Sequence, residues 1–221
     1  MLRHSPAVER VESQLLLFDA GEFADIFTGP EFTVYPRLFL ECDLRGRTDA
    51  AESTADGVPP DLELSLWNAQ DYQAAGELIY ACYVGHADAQ INDQYRSLHG
   101  SLRFLHNIIR FPGCGIFEAN YSWVLRERRS GALVGMVLCS RVAADVAHIT
   151  QLCVSPAYRG CGLGRALLNR SAESLLRGGF QAISLTVTEA NDEAVRLYER
   201  FGFLLRHRFD AMALDTRHRR R

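Results

Sequence analysis

The sequence contains no lysine, and all 24 of its basic residues are arginine. A GC-rich genome is a sufficient explanation for this bias. The sequence also lacks any apolar run near the ~20 residues that a membrane-spanning helix needs, which excludes such a helix. Residues 1–12 have no apolar stretch followed by a small-residue cleavage site, so no secretory signal is predicted and we expect a cytoplasmic protein.

The sequence has little that points to a metal or to nucleic acid. Its six cysteines form no C-x-x-C pair and have no histidine at zinc-ligand spacing, so we predict no metal site and interpret them as small buried thiols. The formal net charge of −3 gives no general attraction to nucleic acid. We therefore expect neither a nucleic-acid nor a membrane partner, and we interpret the basic tail at 216–221 as solvated chain.

A shift in composition divides the chain. Residues 45–61 (RGRTDAAESTADGVPPD) are polar and rich in small residues, which predicts a linker between an N-terminal segment, 1–44, and a main domain, 62–215. The N-terminal segment is predicted to form a helix and a hairpin. It is also a candidate partial repeat of the end of the main domain, because aligning Phe32 with Phe203 places Glu22 on Glu193, Ile26 on Leu197 and Arg37 on Arg208. Such a segment is too short to hold a core alone, so we expect it to dock on the main domain or to pair with a second chain in a homodimer.

The main domain begins with an alternating pattern that predicts a strand over 62–67, and two helical patterns and further strands follow. Helical spacing predicts one helix over 71–86 and a second over 91–109, which Pro112 and Gly113 end. Three strand patterns, at 121–127, 132–141 and 145–154, then predict an antiparallel meander. A helix at 162–177, a strand at 182–187, a helix at 192–200 and two closing strands at 203–208 and 209–215 follow. This order predicts a mixed α/β fold, a mostly antiparallel central sheet with one parallel strand pair, flanked by helices.

The strongest local signal is a strand that runs into a glycine-rich turn and then a helix. It reads V-S-P-A-Y-R-G-C-G-L-G-R from Val154 to Arg165. Such a turn directs backbone N–H groups and the positive end of a helix dipole at one point, which suits a pyrophosphate. A dinucleotide fingerprint that starts at Gly160 would need glycine at Arg165, and a phosphate loop of the G-K-[ST] type is absent. The remaining alternative is a merely tight turn between strand and helix.

Two motifs give a more specific indication. The segment R-G-C-G-L-G, Arg159 to Gly164, resembles the [QR]-x-x-G-x-[GA] motif of the GNAT superfamily of N-acetyltransferases, and N-D-E-A-V-R-L-Y-E-R-F-G-F, Asn191 to Phe203, resembles its second signature. The resemblance covers residues 62–215. It implies the GNAT fold and transfer of an acetyl group from acetyl-CoA to a primary amine.

The resemblance also implies a set of site residues. Backbone groups of Leu152, Cys153 and Val154 would pair with the pantetheine arm, and Asn191 would bond the same arm. Tyr198 would protonate the leaving thiolate, although a buried aromatic on a helix face gives the same pattern. The pyrophosphate would be enclosed by the turn, which consists of Arg159, Gly160, Cys161, Gly162, Leu163, Gly164 and Arg165.

The general base and the acceptor are less defined. His148 is the candidate base, because family members often carry a glutamate or histidine there and its ordinary pKa suits neutral pH. A structural role for His148, a base at Glu118 and a water relay stay open. Cys153 and Cys161 have no sequence-visible base partner, so we expect direct attack in a ternary complex rather than an acyl-enzyme.

The acceptor is a small-molecule or peptide amine; peptide N-termini, lysine side chains and polyamines all remain open. A lysine-free surface would spare a lysine acetyltransferase from modifying itself, but composition does not separate this from codon bias. The alternative function is a non-catalytic regulatory module that binds acyl-CoA. The presence of Asn191 and Tyr198 argues against that alternative.

Overall fold

The structure is a computed structural model that describes residues 8–22, 32–45 and 57–215. Most of the predicted linker, the basic tail and part of the candidate repeat lie outside the described residues. The elements are β1 Arg10–Gln14, β2 Thr33–Asp43, β3 Leu62–Leu66, α1 Tyr72–Tyr83, α2 Asp88–Ile91, α3 Leu98–Arg110, β4 Ile116–Phe117, β5 Trp123–Glu127, β6 Leu133–Arg141, β7 Val146–Val154, α4 Leu163–Arg177, β8 Ala182–Thr188, α5 Asp192–Phe201 and β9 Leu204–Asp215.

The described strands form one sheet in the order β1-β9-β2-β8-β7-β6-β5-β3, with β4 paired to β6. Its strand pairs are antiparallel except for β7 and β8, which α4 connects. A parallel pair needs a crossover of this kind, because the chain must return to the same end of the sheet. The predicted fold class, mixed α/β with one parallel pair, is confirmed.

Helices cover both faces of the sheet. The larger core lies against α4 and α5, where Leu167, Leu168 and Phe201 are buried. A second core lies against α1 and α3, where Ile79 and Leu105 are fully buried. Side chains of alternate strand residues enter the two cores, as the period of a strand requires.

Strand β2 lies inside the sheet, between β8 and β9. Arg37 is opposite Thr188 on one side and Phe209 on the other. Three alternate apolar residues of the strand are buried, namely Leu38, Leu40 and Cys42. A segment that precedes the linker in sequence therefore supplies a central strand.

Two secondary-structure predictions were wrong. The helix expected over 91–109 is interrupted, because the Asn92 side chain accepts the Gln94 N–H at 3.0 Å and Ser97 accepts the Gly100 N–H at 3.0 Å. Such side chains compete with the helical backbone and start new turns. The two strands expected over 203–215 are one strand, β9, which pairs with β2 from Leu204 to Ala213.

Candidate functional site

The parallel pair opens partway along its length. β7 and β8 pair only from Val146 opposite Ala182 to Ile149 opposite Leu185. Beyond that point the last three residues of β8 pair with β2, while β7 continues beside β6 alone. Residues 150–154 therefore present one backbone edge that no described strand covers.

The peptide groups on this open edge can be assigned from their alternation. A Cβ atom on Gly135 of β6 would lie 3.5 Å from the Cys153 carbonyl oxygen, so Cys153 faces β6. Because successive residues of a strand direct their peptide groups to opposite sides, Leu152 and Val154 face the open edge. The Val154 carbonyl oxygen already accepts a weak bond from the Cys82 thiol at 3.3 Å. The N–H groups of Leu152 and Val154 are the donors that the opening offers to an extended ligand.

The glycine-rich turn follows at the end of β7. Gly160 and Gly162 have φ angles of 76° and 78°, which side-chain-bearing residues rarely adopt. A Cβ atom at either position would meet nothing within 4 Å, so the space over the turn is open. Cys161 and Arg165 are exposed beside it. The interpretation of the six cysteines as buried thiols is therefore wrong for Cys161, and also for the exposed Cys114.

Helix α4 starts at this turn without a capping side chain. Its N-cap is Gly162, and its first turn carries no acidic residue. The first N–H groups of a helix have no partner within the helix, and they coincide with the positive end of the helix dipole. The buried side chain of Leu163 packs the start of the helix against the core. A Cβ atom on Gly164 would lie 3.2 Å from the Leu197 side chain of α5, so α4 and α5 are in close contact here. The arrangement suits an anion such as a pyrophosphate.

The side chain of Arg159, unlike the rest of the turn, is hydrogen-bonded to carbonyl groups of the protein. Its Nη2 donates to the Cys82 carbonyl at the end of α1 at 3.1 Å, and its Nε donates to the Val154 carbonyl at 3.5 Å. The side chain thus ties α1 to the end of β7. In this arrangement its charge lies beside the turn while two of its N–H donors are used by protein carbonyls.

Asn191 and Tyr198 lie on the helix that follows β8. Asn191 is the N-cap of α5, and its Oδ1 accepts the Ala194 N–H at 3.3 Å. Tyr198 is buried, with its ring edge-on to Phe203 at 5.6 Å between centroids. Within the described part of the chain its hydroxyl has no hydrogen-bond partner. Burial, with a smaller contribution from the Asp88 carboxylate, raises the pKa of Tyr198 well above its ordinary value.

The two candidate bases occupy different surroundings. His148 lies on the paired part of β7, with Nδ1 2.9 Å from Ser184 Oγ and its ring stacked on Phe39 at 6.3 Å. Burial lowers the pKa of His148 to about 4, so the imidazole is neutral at physiological pH. Glu118 accepts from Arg141 Nε at 2.8 Å, which makes its carboxylate part of an ion pair.

The structure adds a group of aromatic and amide side chains that the sequence did not reveal. Tyr83 and Tyr95 stack at 4.0 Å between centroids, and Gln151 Nε2 donates to the Tyr83 hydroxyl at 3.0 Å. The Tyr95 hydroxyl is 3.4 Å from Gln151 Oε1. Burial raises the pKa of both phenols, so both remain protonated donors. A polar residue within a strand was the only sequence signal for Gln151.

A second group links β2, β8 and α2. The Thr188 hydroxyl donates to the Asp88 carboxylate and accepts from Arg37 Nη1 at 3.3 Å. Arg37 Nη2 donates to the Thr186 hydroxyl at 3.2 Å. Asp88 in turn follows His86, whose Nδ1 is 3.1 Å from the Asp88 N–H. No sequence pattern predicts this group, because its residues come together only through strand pairing between distant segments.

Over residues 8–22, 32–45 and 57–215, no cluster of three or more histidine, cysteine, aspartate or glutamate side chains could hold a metal ion. Over those same residues, no helix has the length and apolar character needed to cross a membrane.

A sheet whose one parallel pair opens beside an uncapped, glycine-started helix is the architecture of the GNAT acetyltransferases. The sequence matches the family described as "Acetyltransferase (GNAT) family" over residues 78–203, more than half of the chain. The chain belongs to this family.

Relatives with named activities match a shorter part. Over 79 residues the chain is 37% identical to the [Ribosomal protein bS18]-alanine N-acetyltransferase of Haemophilus influenzae. The matched stretch covers 36% of this chain and 53% of that protein. Over 81 residues it is 41% identical to the mycothiol acetyltransferase of Thermobispora bispora, 34% of this chain and 28% of that protein. The chain thus spans about half or less of the length of these relatives.

Solved structures match nearly the whole chain. A GCN5-related N-acetyltransferase from Sphaerobacter thermophilus gives a TM-score of 0.66 at 19% identity, covering 94% of this chain and 60% of that chain. A tandem GNAT protein from the clavulanic acid biosynthesis pathway gives a TM-score of 0.60 at 15% identity. The match covers 94% of this chain and 64% of that chain. At these identities the likeness shows the fold.

Proposed function

We propose that this protein transfers the acetyl group of acetyl-CoA to a primary amine. The observation that carries the proposal is the continuity between the open edge of β7 and the uncapped start of α4. The first suits an extended amide-containing arm, and the second suits a pyrophosphate at its end. Pantetheine and pyrophosphate are joined in this order in coenzyme A.

Each part of the cofactor has a proposed partner. Leu152 and Val154 would pair with the pantetheine amides through their backbone, next to Cys153, and one of these N–H groups would stabilise the thioester oxygen as negative charge develops. The segment from Gly160 to Arg165 would hold the pyrophosphate. Asn191, at the start of α5, would bond the cofactor arm.

The proposed chemistry is a direct attack. The acceptor nitrogen forms a bond to the acetyl carbon, the carbon–sulfur bond breaks, the nitrogen loses a proton to a base and the thiolate gains one. Tyr198 is the proposed proton donor, because burial of its side chain raises the pKa of the phenol, which stays protonated. His148 is the proposed base because its imidazole is neutral and free to accept a proton, but burial lowers its pKa to about 4, so it is a weaker base than the ordinary histidine expected from the sequence. A water is needed if the amine does not reach it.

Cys153 is not proposed as a nucleophile. A hydrogen bond with Cys82, together with burial, raises the pKa of the Cys153 thiol well above its ordinary value. The thiolate, which is the reactive form, is therefore scarce at neutral pH. This favours transfer within a ternary complex over an acyl-enzyme.

An amine panel with acetyl-CoA tests the proposal. Peptide N-termini, a lysine side chain and polyamines would each be mixed with acetyl-CoA, with free thiol as the readout and mass spectrometry to identify the product. Thiol release that depends on an amine and yields an acetylated amine supports the proposal. Binding of acetyl-CoA without turnover of any amine would instead support a regulatory acyl-CoA-binding module.

A further inference from the structure

We propose that Arg37 binds a carboxylate of the acceptor, so that the protein acetylates a small primary amine that also carries a carboxylate group. The inference rests on the function proposed above and names the acceptor class for that site. It concerns a residue of β2, outside the segment that matches the family.

The guanidinium of Arg37 is held by neutral groups. Its Nη1 and Nη2 donate to the hydroxyls of Thr188 and Thr186 at 3.3 and 3.2 Å. Its Nε is buried and donates to no group. A guanidinium has five N–H donors, and within residues 8–22, 32–45 and 57–215 these two side-chain bonds are the only ones that Arg37 makes through it.

The positive charge of Arg37 also has no direct counter-ion among the described residues. In the part of the chain that the structure describes, no carboxylate lies within 4.0 Å of its guanidinium. Asp88 is the nearest acidic group in the bonded network, and it is separated from Arg37 by the Thr188 hydroxyl. A half-buried charge without an opposite charge is costly, and a bound anion removes that cost.

Arg37 lies near residues that border the proposed reaction centre. Its charge acts on the phenol of Tyr95, and the Asp88 carboxylate acts on both Tyr95 and Tyr198. Thr188, which bonds Arg37, stands at the end of β8 just before the Asn191 cap of α5. The guanidinium therefore lies at the end of β8 that borders the opening, on the face of the sheet that also carries Tyr95, whereas Tyr198 belongs to the core on the opposite face.

This placement selects among the acceptors left open by the sequence. A planar guanidinium fork matches a carboxylate with two parallel hydrogen bonds. A polyamine, which carries only positive charge, is repelled by Arg37. We therefore infer an amino-acid-like acceptor, whose amine reacts while its carboxylate is held by Arg37.

Matched acceptor pairs test this inference. Free L-amino acids would be compared with their α-carboxamides in the thiol-release assay, using the parent chain and the Arg37→Gln, Arg37→Lys and Arg208→Gln variants. Arg208 is the control, because it is opposite Leu38 on the neighbouring strand and its side chain is exposed. Thermal unfolding and acetyl-CoA affinity would be measured for each variant.

We expect the parent to prefer carboxylates by about tenfold or more in kcat/KM, as one charge-assisted fork contact gives. Arg37→Gln should lose this preference through a higher KM for amino acids and should keep its activity on carboxamides. Arg37→Lys should restore part of the preference, and Arg208→Gln should behave as the parent.

A parent without the preference, or an Arg37→Gln variant that loses activity on amino acids and carboxamides equally, overturns the inference. If Arg37→Gln does not fold, the preference of the parent decides the question. Turnover of carboxamides or polyamines alone refutes only this inference, whereas no turnover of any amine refutes the proposed function.

Discussion

Asn191 Nδ2 lies 3.3 Å from His86 Nε2, across a separation of 105 residues. Asn191 also caps α5, and His86 contacts the start of α2 through the Asp88 N–H. The contact therefore joins the helix that carries Tyr198 to the loop between α1 and α2. Asn191, a residue of the second family motif, thus contacts the loop between α1 and α2, which belongs to neither motif. Asn191 and this loop both border the opening of the sheet.

The glycine turn gives the first prediction. Gly162→Val places a branched side chain in the open space over the turn, so acetyl-CoA affinity should fall by about tenfold or more, because only glycine permits close backbone approach. Gly131→Val is the matched control, since Gly131 has a similar φ of 72° and an equally open Cβ position on a distant turn. Calorimetry measures both affinities.

The control separates strain from ligand contact. Both variants carry the same cost of a positive φ, about 1–3 kcal/mol. If folded Gly162→Val binds acetyl-CoA as tightly as Gly131→Val does, the pyrophosphate is not held at this turn.

The second prediction concerns Tyr198. Tyr198→Phe removes the hydroxyl and keeps the ring packed on Phe203, so stability and acetyl-CoA affinity should hardly change. Loss of a positioned general acid typically lowers the rate ~10²- to 10⁴-fold, and kcat should fall more than KM. Tyr121→Phe, in an aromatic pair with Phe180, is the control and should keep its rate. Turnover of Tyr198→Phe within about threefold of the parent would make Tyr198 a core aromatic only.

The third prediction is a pH dependence of stability. The pKa of His148 is about 4 in the folded chain, whereas an unfolded histidine has a pKa near ~6.5. Between these values the unfolded chain binds a proton that the folded chain does not, so the free energy of unfolding falls as pH decreases. At ~1.4 kcal/mol per pKa unit the loss is at most about 3.5 kcal/mol.

Urea titrations of the parent and of His148→Gln at pH ~7.5 and ~5 measure this loss. The variant lacks the titrating group, so its stability should decrease less over the interval. Equal decreases in the two proteins would show that His148 titrates as an exposed histidine does. The same pair reports on the proposed base, because transfer near neutral pH should be slower in the variant.

The fourth prediction concerns β2. A chain that starts at Asp61 loses a central strand, so β8 and β9 lose their shared partner. It also loses the buried side chains Leu38 and Leu40, and each such burial contributes about 1.5–3 kcal/mol. Because a domain has only about 5–15 kcal/mol of net stability, the truncated chain should be unfolded or aggregated. A soluble truncated chain with an unchanged melting temperature would show that β2 is dispensable.

The local parts of the site could be predicted from the sequence. The turn from Val154 to Arg165 is specified by its own glycines and by the apolar pattern that follows, and the helix begins there at Leu163. The parallel pair follows from a strand, helix and strand in succession. Neither step needs information from a distant segment.

The position of β2 could not be predicted in this way. Alternation identifies a strand but not its neighbours, and β2 pairs with strands that follow it by more than 100 residues. Arg37 therefore had no sequence signal that linked it to Thr188 or to Asp88. The break between α2 and α3 was missed for another reason: the apolar spacing continues through Asn92 and Ser97, whose side chains cap new turns.

A crystal structure of this protein with coenzyme A would test the proposed cofactor site directly. The pantetheine arm is expected along the open edge of β7, with hydrogen bonds to the backbone of Leu152 and Val154. The pyrophosphate is expected on the N–H groups at the start of α4, and the sulfur within hydrogen-bonding distance of the Tyr198 hydroxyl. Coenzyme A bound elsewhere, or an arm that leaves the edge of β7 uncovered, would contradict the proposed site.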